Sequence, residues 1–200
     1  MGGRGASIGK SKMGGVTNIV NGEYIDLVDK KALTEFRSGL EKVLEDFGID
    51  DQVSINGSKY NRGVANVNGL NQVRLPLKIW SSYENALQAK KNNTGITVTT
   101  TLSGTGAHEA GHIVANALYK RRYPTVSEAA PARHNKTIEK EVIKAARKRV
   151  DGDFHISKYA SENPAETVAE AVADVYSNGK AASKYSKAIV DVLKEKIKKN

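Results

Sequence analysis

Two histidines and a glutamate have the spacing in this chain that most directly specifies a chemistry. His108 and His112 lie four residues apart in the stretch HEAGH, and Glu109 directly follows the first histidine. On an α-helix, side chains at i and i+4 leave the same face one turn apart, so both imidazoles can bind a single metal ion. The Glu109 carboxylate can then reach a water molecule on that metal without ligating it, which is the position of a general base.

The segment around HEAGH has the periodicity of a helix with one buried side. Ser103, Gly104 and Thr105 form a helix start signal, and the basic run 120–122 is typical of a last turn. Between them, small and apolar residues recur at helical spacing, at Ala107, Ala110, Ile113, Val114, Ala117 and Leu118. The pattern predicts a helix with both histidines on one face. On the pentapeptide alone, the alternative is a pair of ordinary helix histidines without a metal.

A catalytic zinc site needs three protein ligands and an open position for water, so a third ligand must lie elsewhere in the chain. In metzincins this ligand is a histidine six residues after the second histidine of the motif, with a glycine between them. The chain has Leu118 at that histidine position and Ala115 at the glycine position, which excludes this type of site. The remaining solution is a glutamate on a second helix.

A second helix with acidic residues on one face is predicted after residue 163. Asn163 is a good N-cap, Pro164 suits the first helical position, and Glu166 is the third position of a capping box. Glu166, Glu170 and Asp174 follow at intervals of four residues and therefore share one face. Three like charges in such a row repel one another unless a cation or solvent compensates them.

Two interpretations of this acidic row are open. It can be a solvated helix edge with a cap, because glutamate is common in the first turn of a helix. Against this, small and apolar residues surround the acids, at Val168, Ala169, Ala171, Val172, Ala173 and Val175, and a buried acidic row is costly without a partner. We predict that Glu166 is the third ligand of one Zn²⁺ per chain. Glu170 is then an acceptor that orients a ligand histidine.

The combination of HEAGH with a downstream tyrosine and two glutamates resembles a known family. The spacing Y-x-x-x-x-x-x-E-x-x-x-E, from Tyr159 to Glu170, is similar to that of the gluzincin metallopeptidases of the anthrax lethal factor-like group. This group includes small bacterial Pro-Pro endopeptidases and metallopeptidase-like domains encoded near bacteriophage head genes. The resemblance implies a zincin-like fold. It assigns the zinc ligands to His108, His112 and Glu166 and the general base to Glu109. It also implies that Tyr159 binds the oxyanion and that Glu170 is the acid that orients a ligand histidine.

The function predicted on this basis is that of a zinc-dependent endopeptidase acting on a protein or peptide substrate. Zinc would lower the pKa of its bound water to about 7, and Glu109 would take the proton as hydroxide attacks the scissile carbonyl. Thr167 and Val168 stand where the family commonly has a pair of aromatic residues, so the resemblance does not identify the substrate. The alternatives are a catalytically silent zincin-like interaction module, which could be phage-associated, and a basic nucleic-acid-binding protein.

Length and composition set the bounds within which this site must be built. A chain of 200 residues with 39% hydrophobic content is large enough to bury a core. Without cysteines, it has neither disulfides nor thiolate ligands, so any metal must take nitrogen and oxygen ligands. No run resembles a signal peptide or a membrane span, from which we expect a cytoplasmic or phage-associated protein.

The net charge of +9 allows binding to nucleic acid, an anionic surface or acidic substrates. The basic residues concentrate at 120–122, 136–149 and 180–199. They are not interleaved with aromatic residues, and no known nucleic-acid-binding motif accompanies them. We favour their interpretation as solvated helix faces over a nucleic-acid-binding role. The oligomeric state does not follow from the sequence.

The order of patterns along the chain predicts an α+β fold. Residues 1–20 are rich in Gly, Ser and Lys and indicate a flexible tail. Residues 21–200 are expected to form a single zincin-like domain, with an α/β half at 21–122 and a mainly helical half at 123–200. In the first half, a helix from about residue 29 to 47 precedes a small mixed or antiparallel sheet of about four strands, packed on the HEAGH helix.

Alternating apolar residues at 53–55 and 73–79 predict strands of this sheet. Pro76 indicates that the second run lies at an edge or contains a bulge, and a helix is expected at 82–91. The β-branched run 96–100 then predicts a strand directly before the HEAGH helix. Such a strand could bind a substrate backbone by strand addition, or could be an ordinary sheet strand. The substrate-binding residues predicted on this basis are Ile96, Thr97, Val98 and Thr99.

The predicted second half begins with a loop at 123–135, where Pro124 and Pro131 lie among polar residues. Helices are expected at about 138–149 and 185–197, the last of them packed behind the site. His134 and His155 lack a partner at ligand spacing, so we interpret them as surface residues.

Overall fold

A computed structural model describes residues 18–60 and 63–199, and it has the predicted α+β fold. The strands are β1 Ile19–Asn21, β2 Val53–Ser58, β3 Asn66–Asn68 and β4 Gln72–Pro76. The helices are α1 Lys30–Asp46, α2 Leu77–Trp80, α3 Tyr83–Lys91, α4 Leu102–Arg122, α5 Val126–His134, α6 Thr137–Arg147, α7 Pro164–Asn178 and α8 Lys184–Lys199. Short 3₁₀ turns lie at Ile25–Leu27, Tyr159–Ser161 and Gly179–Ala181.

The sheet is mixed and has the order β1-β2-β4-β3. Strands β1, β2 and β4 are parallel, and β3 runs antiparallel to β4 at the end of the sheet. Residues 19 and 20, assigned above to the flexible tail, are instead part of β1, where backbone pairing with β2 orders them. The remainder of the predicted tail, up to residue 17, lies outside the described residues.

Strand β4 ends earlier than the alternating pattern predicts. Pro76 is its last residue and lies beyond the last pair with β3, Asn66 with Arg74, so its missing N–H removes no bond to β3. Leu77 and Ile79 were expected to continue the strand, but they lie in α2. A proline fixes its own φ near the helical value, and here it immediately precedes the helical turn.

Two helices, α1 and α4, form the centre of the core through direct backbone contact. A Cβ on Gly39 of α1 would lie 1.8 Å from the Ser103 carbonyl oxygen, and one on Gly106 of α4 would lie 2.0 Å from the Phe36 carbonyl oxygen. Only glycine permits this approach. Fully buried side chains of both helices and of the sheet surround the contact, including Phe36, Leu40, Ile55, Leu75 and Ile113. The position of α4 is therefore fixed by packing along its length.

The segment before α4 is irregular, and the predicted strand at 96–100 is wrong. In the described chain it has an isolated bridge, Thr94 with Thr97, and no strand. The backbone groups that a strand would offer to a neighbour are bonded elsewhere: the Val98 N–H donates to the Glu170 carboxylate (2.8 Å), and the Ile96 carbonyl accepts from the Tyr159 N–H (3.0 Å). Strand addition of a substrate at Ile96, Thr97, Val98 and Thr99 therefore lacks its structural basis.

Helix α4 also begins earlier than expected, at Leu102. Its N-cap is Thr101, whose hydroxyl accepts a hydrogen bond from the Gly104 N–H at 2.9 Å. Its last turn carries the three basic residues of the predicted end, 120–122. The helix therefore extends nearly two turns before His108 and almost three turns beyond His112, which places the histidines in a rigid interior.

A helix replaces the loop predicted at 123–135. Thr125 and Glu128 form a capping box in which the Thr125 hydroxyl accepts from the Glu128 N–H (3.3 Å) and the Glu128 carboxylate accepts from the Thr125 N–H (3.1 Å). Pro131 lies inside α5, which ends three residues later at His134. The two prolines suggested a loop, but the capping box was the stronger signal.

The C-terminal half consists of the expected helices α6, α7 and α8. The predicted N-cap of α7 is confirmed, because the Asn163 side chain accepts from the backbone N–H groups of Ala165 (2.9 Å) and Glu166 (3.2 Å). Helix α8 packs against α6 and α7 and also contacts α4. Within the described residues, no helix combines the length and apolar content needed to cross a membrane.

The contact between α1 and α4 predicts that Gly39→Ala destabilises the protein despite the higher helix propensity of alanine. The added methyl group would collide with the Ser103 backbone, so we expect the free energy of unfolding to fall by about 2 kcal/mol or more. Urea unfolding of both proteins measures this difference. Lys42→Ala, at an exposed position of the same helix, serves as the control and should change stability by less than about 0.5 kcal/mol. Equal stability of Gly39→Ala and the wild type would contradict the packing.

Candidate metal centre

A glycine in the HEAGH motif brings the second helix against the histidines. A Cβ on Gly111 would lie 2.8 Å from the Ala169 Cα, so the backbones of α4 and α7 are in contact between His108 and His112. Glu166, three residues before Ala169, and Glu170, the residue after it, then face the histidine side chains. The close helix contact is what places the predicted ligands together.

The three predicted ligand residues form one group that can hold a metal ion. Their candidate ligand atoms all lie within 4.8 Å of one another. Glu166 Oε2 is 3.1 Å from His108 Nε2 and 3.5 Å from His112 Nε2. The prediction that His108, His112 and Glu166 converge is therefore confirmed, and the donor set consists of two imidazole nitrogens and one carboxylate oxygen.

Glu170 supports His108 from the opposite side of the ring. Its Oε1 lies 3.0 Å from His108 Nδ1, and its Oε2 accepts from the Val98 N–H (2.8 Å) and the Ser157 hydroxyl (2.7 Å). Burial raises the pKa of Glu170, but its hydrogen bonds, chiefly with His108, hold it below the usual range. An ionised carboxylate can only accept, so Nδ1 carries a proton and Nε2 faces Glu166.

Asp174, the third acid of the row, is not part of the group. Its carboxylate accepts from the Asn178 side chain (2.7 Å) and the Ser183 N–H (2.9 Å), and so it ties the end of α7 to the segment before α8. The acidic row therefore has two roles. Its first two members face the histidines, and its last member is structural.

In the metal-free state, a proton holds the cluster together. Burial alone would lower the pKa of His108, but hydrogen bonds with Glu166 and Glu170 raise it to about 10. Burial likewise raises the pKa of Glu166, yet its hydrogen bonds with His108 and His112 hold it well below the usual range. The cluster therefore contains an imidazolium between two carboxylates. A proton and a metal ion compete for His108 Nε2.

Glu109 is the member of the site with an unsatisfied group. Glu109 is 4% exposed, and its Oε2 has no hydrogen-bond partner within the described residues. Burial raises the pKa of this carboxyl. A buried carboxylate oxygen without a partner is costly, and a water molecule held by a metal ion beside it would satisfy it. The residues present therefore fit a metal ion with bound water.

Tyr159 lies where a second polar group can reach the same space. It begins the 3₁₀ turn before α7, and its ring centroid is 5.9 Å from that of His108. Burial and the nearby carboxylates, of which Glu166 has the largest effect, raise the pKa of the Tyr159 hydroxyl. The hydroxyl thus stays protonated and can donate a hydrogen bond.

The cluster opens into a cleft of about 490 Å³. One wall is the β3 region at the end of the sheet, and the opposite wall comes from α5, the start of α6 and the start of α7. His134 lines this cleft but is outside the metal-binding group, and His155 is an exposed residue outside both. Ile96 and Thr97 line an adjoining, smaller cavity of about 250 Å³ rather than the cleft itself.

Two residues near the centre were missed in the sequence. Ser157 donates to Glu170 but precedes a turn without a recognisable pattern. Lys90 is buried close to Glu109 and Glu170, although its position in the last turn of α3 is typical of a solvated helix end. Neither has a local signal, because each depends on packing between distant segments.

Comparison of the chain with protein-family models, curated proteins and solved structures found no match. The resemblance to gluzincins stays a prediction carried by the motif residues.

The pKa of His108 predicts how the stability of the metal-free protein depends on pH. Its folded value of about 10 exceeds the unfolded value of 6.5, so the stabilising contribution is complete below pH 6.5 and is lost as the pH rises toward 10. The difference in free energy of unfolding between wild type and His108→Gln should therefore shrink across this window. Urea unfolding with chelator measures it, and His155→Gln is the control for an exposed histidine. A constant difference for His108→Gln would contradict the protonated cluster.

Proposed function

We propose that this protein is a zinc-dependent endopeptidase of the gluzincin type. The observation that carries the proposal is the convergence of His108, His112 and Glu166 beside the unpartnered Oε2 of Glu109. Zinc bonds of about 2.0–2.1 Å in a tetrahedron place ligand atoms roughly 3.3 Å apart, and the two distances from Glu166 Oε2, 3.1 and 3.5 Å, bracket this value. Two imidazoles, one carboxylate and an open side toward a cleft are typical of catalytic rather than structural zinc.

The proposed reaction is hydrolysis of a peptide bond by water. Zinc bound to the three ligands would supply Lewis-acid activation of the water and of the scissile carbonyl. Glu109 Oε2 accepts a proton from the water as the water oxygen bonds to the carbonyl carbon. The same atom then gives the proton to the leaving amine nitrogen as the C–N bond breaks. The Tyr159 hydroxyl donates to the carbonyl oxygen as negative charge develops there.

The sheet edge next to the cleft offers a place for the substrate backbone. Strand β3 lies at the end of the sheet and pairs with β4 alone among the described strands, and its residues form one wall of the cleft. An extended peptide alongside β3 would pass the metal-binding group. In the proposed function, β3 therefore takes the substrate-binding role that the sequence suggested for Ile96 to Thr99.

Metal content provides the first test. We expect about one zinc per chain in the purified wild type and none in His112→Ala, because two ligands without the second imidazole bind zinc too weakly to survive dialysis. His134→Ala is the matched control, since His134 lines the same cleft outside the metal-binding group and its loss should leave the zinc content unchanged. Elemental analysis of the folded proteins gives the answer. A folded wild type without zinc after reconstitution would end the metallopeptidase proposal.

Cleavage of a peptide library tests the roles of Glu109 and Tyr159. Glu109→Gln should retain zinc and lose activity, because glutamine cannot accept the proton. Tyr159→Phe should retain zinc and lower kcat by about 10²–10³, the cost of one oxyanion donor. Chelator should abolish wild-type cleavage, and added zinc should restore it. Full zinc content without cleavage of any peptide would instead support the catalytically silent module.

A further inference from the structure

A buried lysine stands beside the proposed reaction centre without a partner. Lys90 is 6% exposed, and its ammonium forms no hydrogen bond or ion pair with residues of the described ranges 18–60 and 63–199. Glu170 and Glu109 are the nearest opposite charges, but they act on it at longer range. An ammonium has three hydrogen-bond donors, and one at a largely buried residue that lines a cavity can donate to an acceptor that enters this cavity.

The lysine lines the cavity of about 250 Å³ that adjoins the main cleft. The two spaces share Ala65, His108, Glu109 and Tyr159 in their walls, so the cavity meets the cleft at the residues proposed to act on the scissile bond. Its remaining walls include Val64, Ile96, Thr97 and Thr105. A side chain of a substrate residue next to the scissile bond could enter this cavity and reach Lys90.

The chemistry of the walls selects the kind of side chain. The Glu170 oxygens are already occupied by His108, Val98 and Ser157. Lys90 is therefore the cation of this cavity that lacks an acceptor among the described residues, and a carboxylate is the strongest acceptor for an ammonium. Burial lowers the pKa of Lys90, and an entering anion would stabilise its charged form.

We propose that the cavity around Lys90 is a subsite for the acidic side chain, aspartate or glutamate, of a substrate residue adjacent to the cleaved bond. The proposal rests on the proposed endopeptidase function for its biological role. It specifies a substrate class that neither the motif nor the resemblance provides.

Binding, measured without hydrolysis, tests the subsite. The full chain is treated with chelator and titrated with acetylated and amidated hexapeptide pools that carry glutamate, or the isosteric glutamine, at one of the four central positions. We expect the glutamate pool to bind about tenfold more tightly at one position, as for a charge-assisted hydrogen bond. Lys90→Met should abolish this preference, and Lys90→Arg should keep most of it. Lys91→Met is the matched control, because it removes the same charge from the exposed neighbouring residue.

The outcomes of this experiment test the subsite independently of the peptidase activity. Any of three results would overturn the subsite: equal binding of the glutamate and glutamine pools by wild type, no binding of either pool, or a preference that persists in folded Lys90→Met. A preference of similar size at all four positions would indicate attraction by the overall positive charge and would also overturn it. Lys90-dependent binding together with a failure to cleave any peptide after zinc addition would refute the peptidase and leave the subsite intact.

Discussion

The backbone contact between α4 and α7 is the constraint on which the site depends. Gly111 lets Ala169 approach within a distance that any side chain would prevent, and this contact lies between the two histidines. Because α4 is itself held by its glycine contacts with α1, the positions of three helices are coupled. A metal site needs its ligand atoms placed to within about 0.5 Å, and rigid helices in direct contact provide that accuracy better than loops do.

Charge compensation explains why an otherwise costly cluster can be buried. Glu109, Glu166 and Glu170 bring three carboxylates into one small region, and without cations they would repel one another or remain protonated. In the metal-free protein, the imidazolium of His108 compensates two of them through direct hydrogen bonds. A metal ion held by the ligand atoms of His108, His112 and Glu166 would supply the same kind of compensation.

The sequence predicted the elements whose signals are local. Asn163 and Pro164 mark the start of α7 through capping chemistry, and the spacing of His108 and His112 follows from helix geometry, so both were read correctly. The run from Ile96 to Thr100 was misread because its β-branched residues favour a strand. Its first two N–H groups instead bond the Asn93 carbonyl in a turn, and two further backbone groups bond Glu170 and Tyr159, more than sixty positions away. The burial of Lys90 likewise depends on distant segments. Local patterns predicted the ligands, but long-range packing determined what surrounds them.

The carboxylate of Glu170 joins two parts of the site that otherwise belong to different segments. One oxygen fixes the ring of His108, and the other holds the Val98 N–H and thereby the turn that includes Ile96 and Thr97, a wall of the Lys90 cavity. A metal ion on His108 and a peptide side chain in the cavity would therefore both act on the hydrogen bonds of this one carboxylate. If a bound peptide changes the affinity for the metal by ordering this turn, then the metal must change the affinity for the peptide by the same factor.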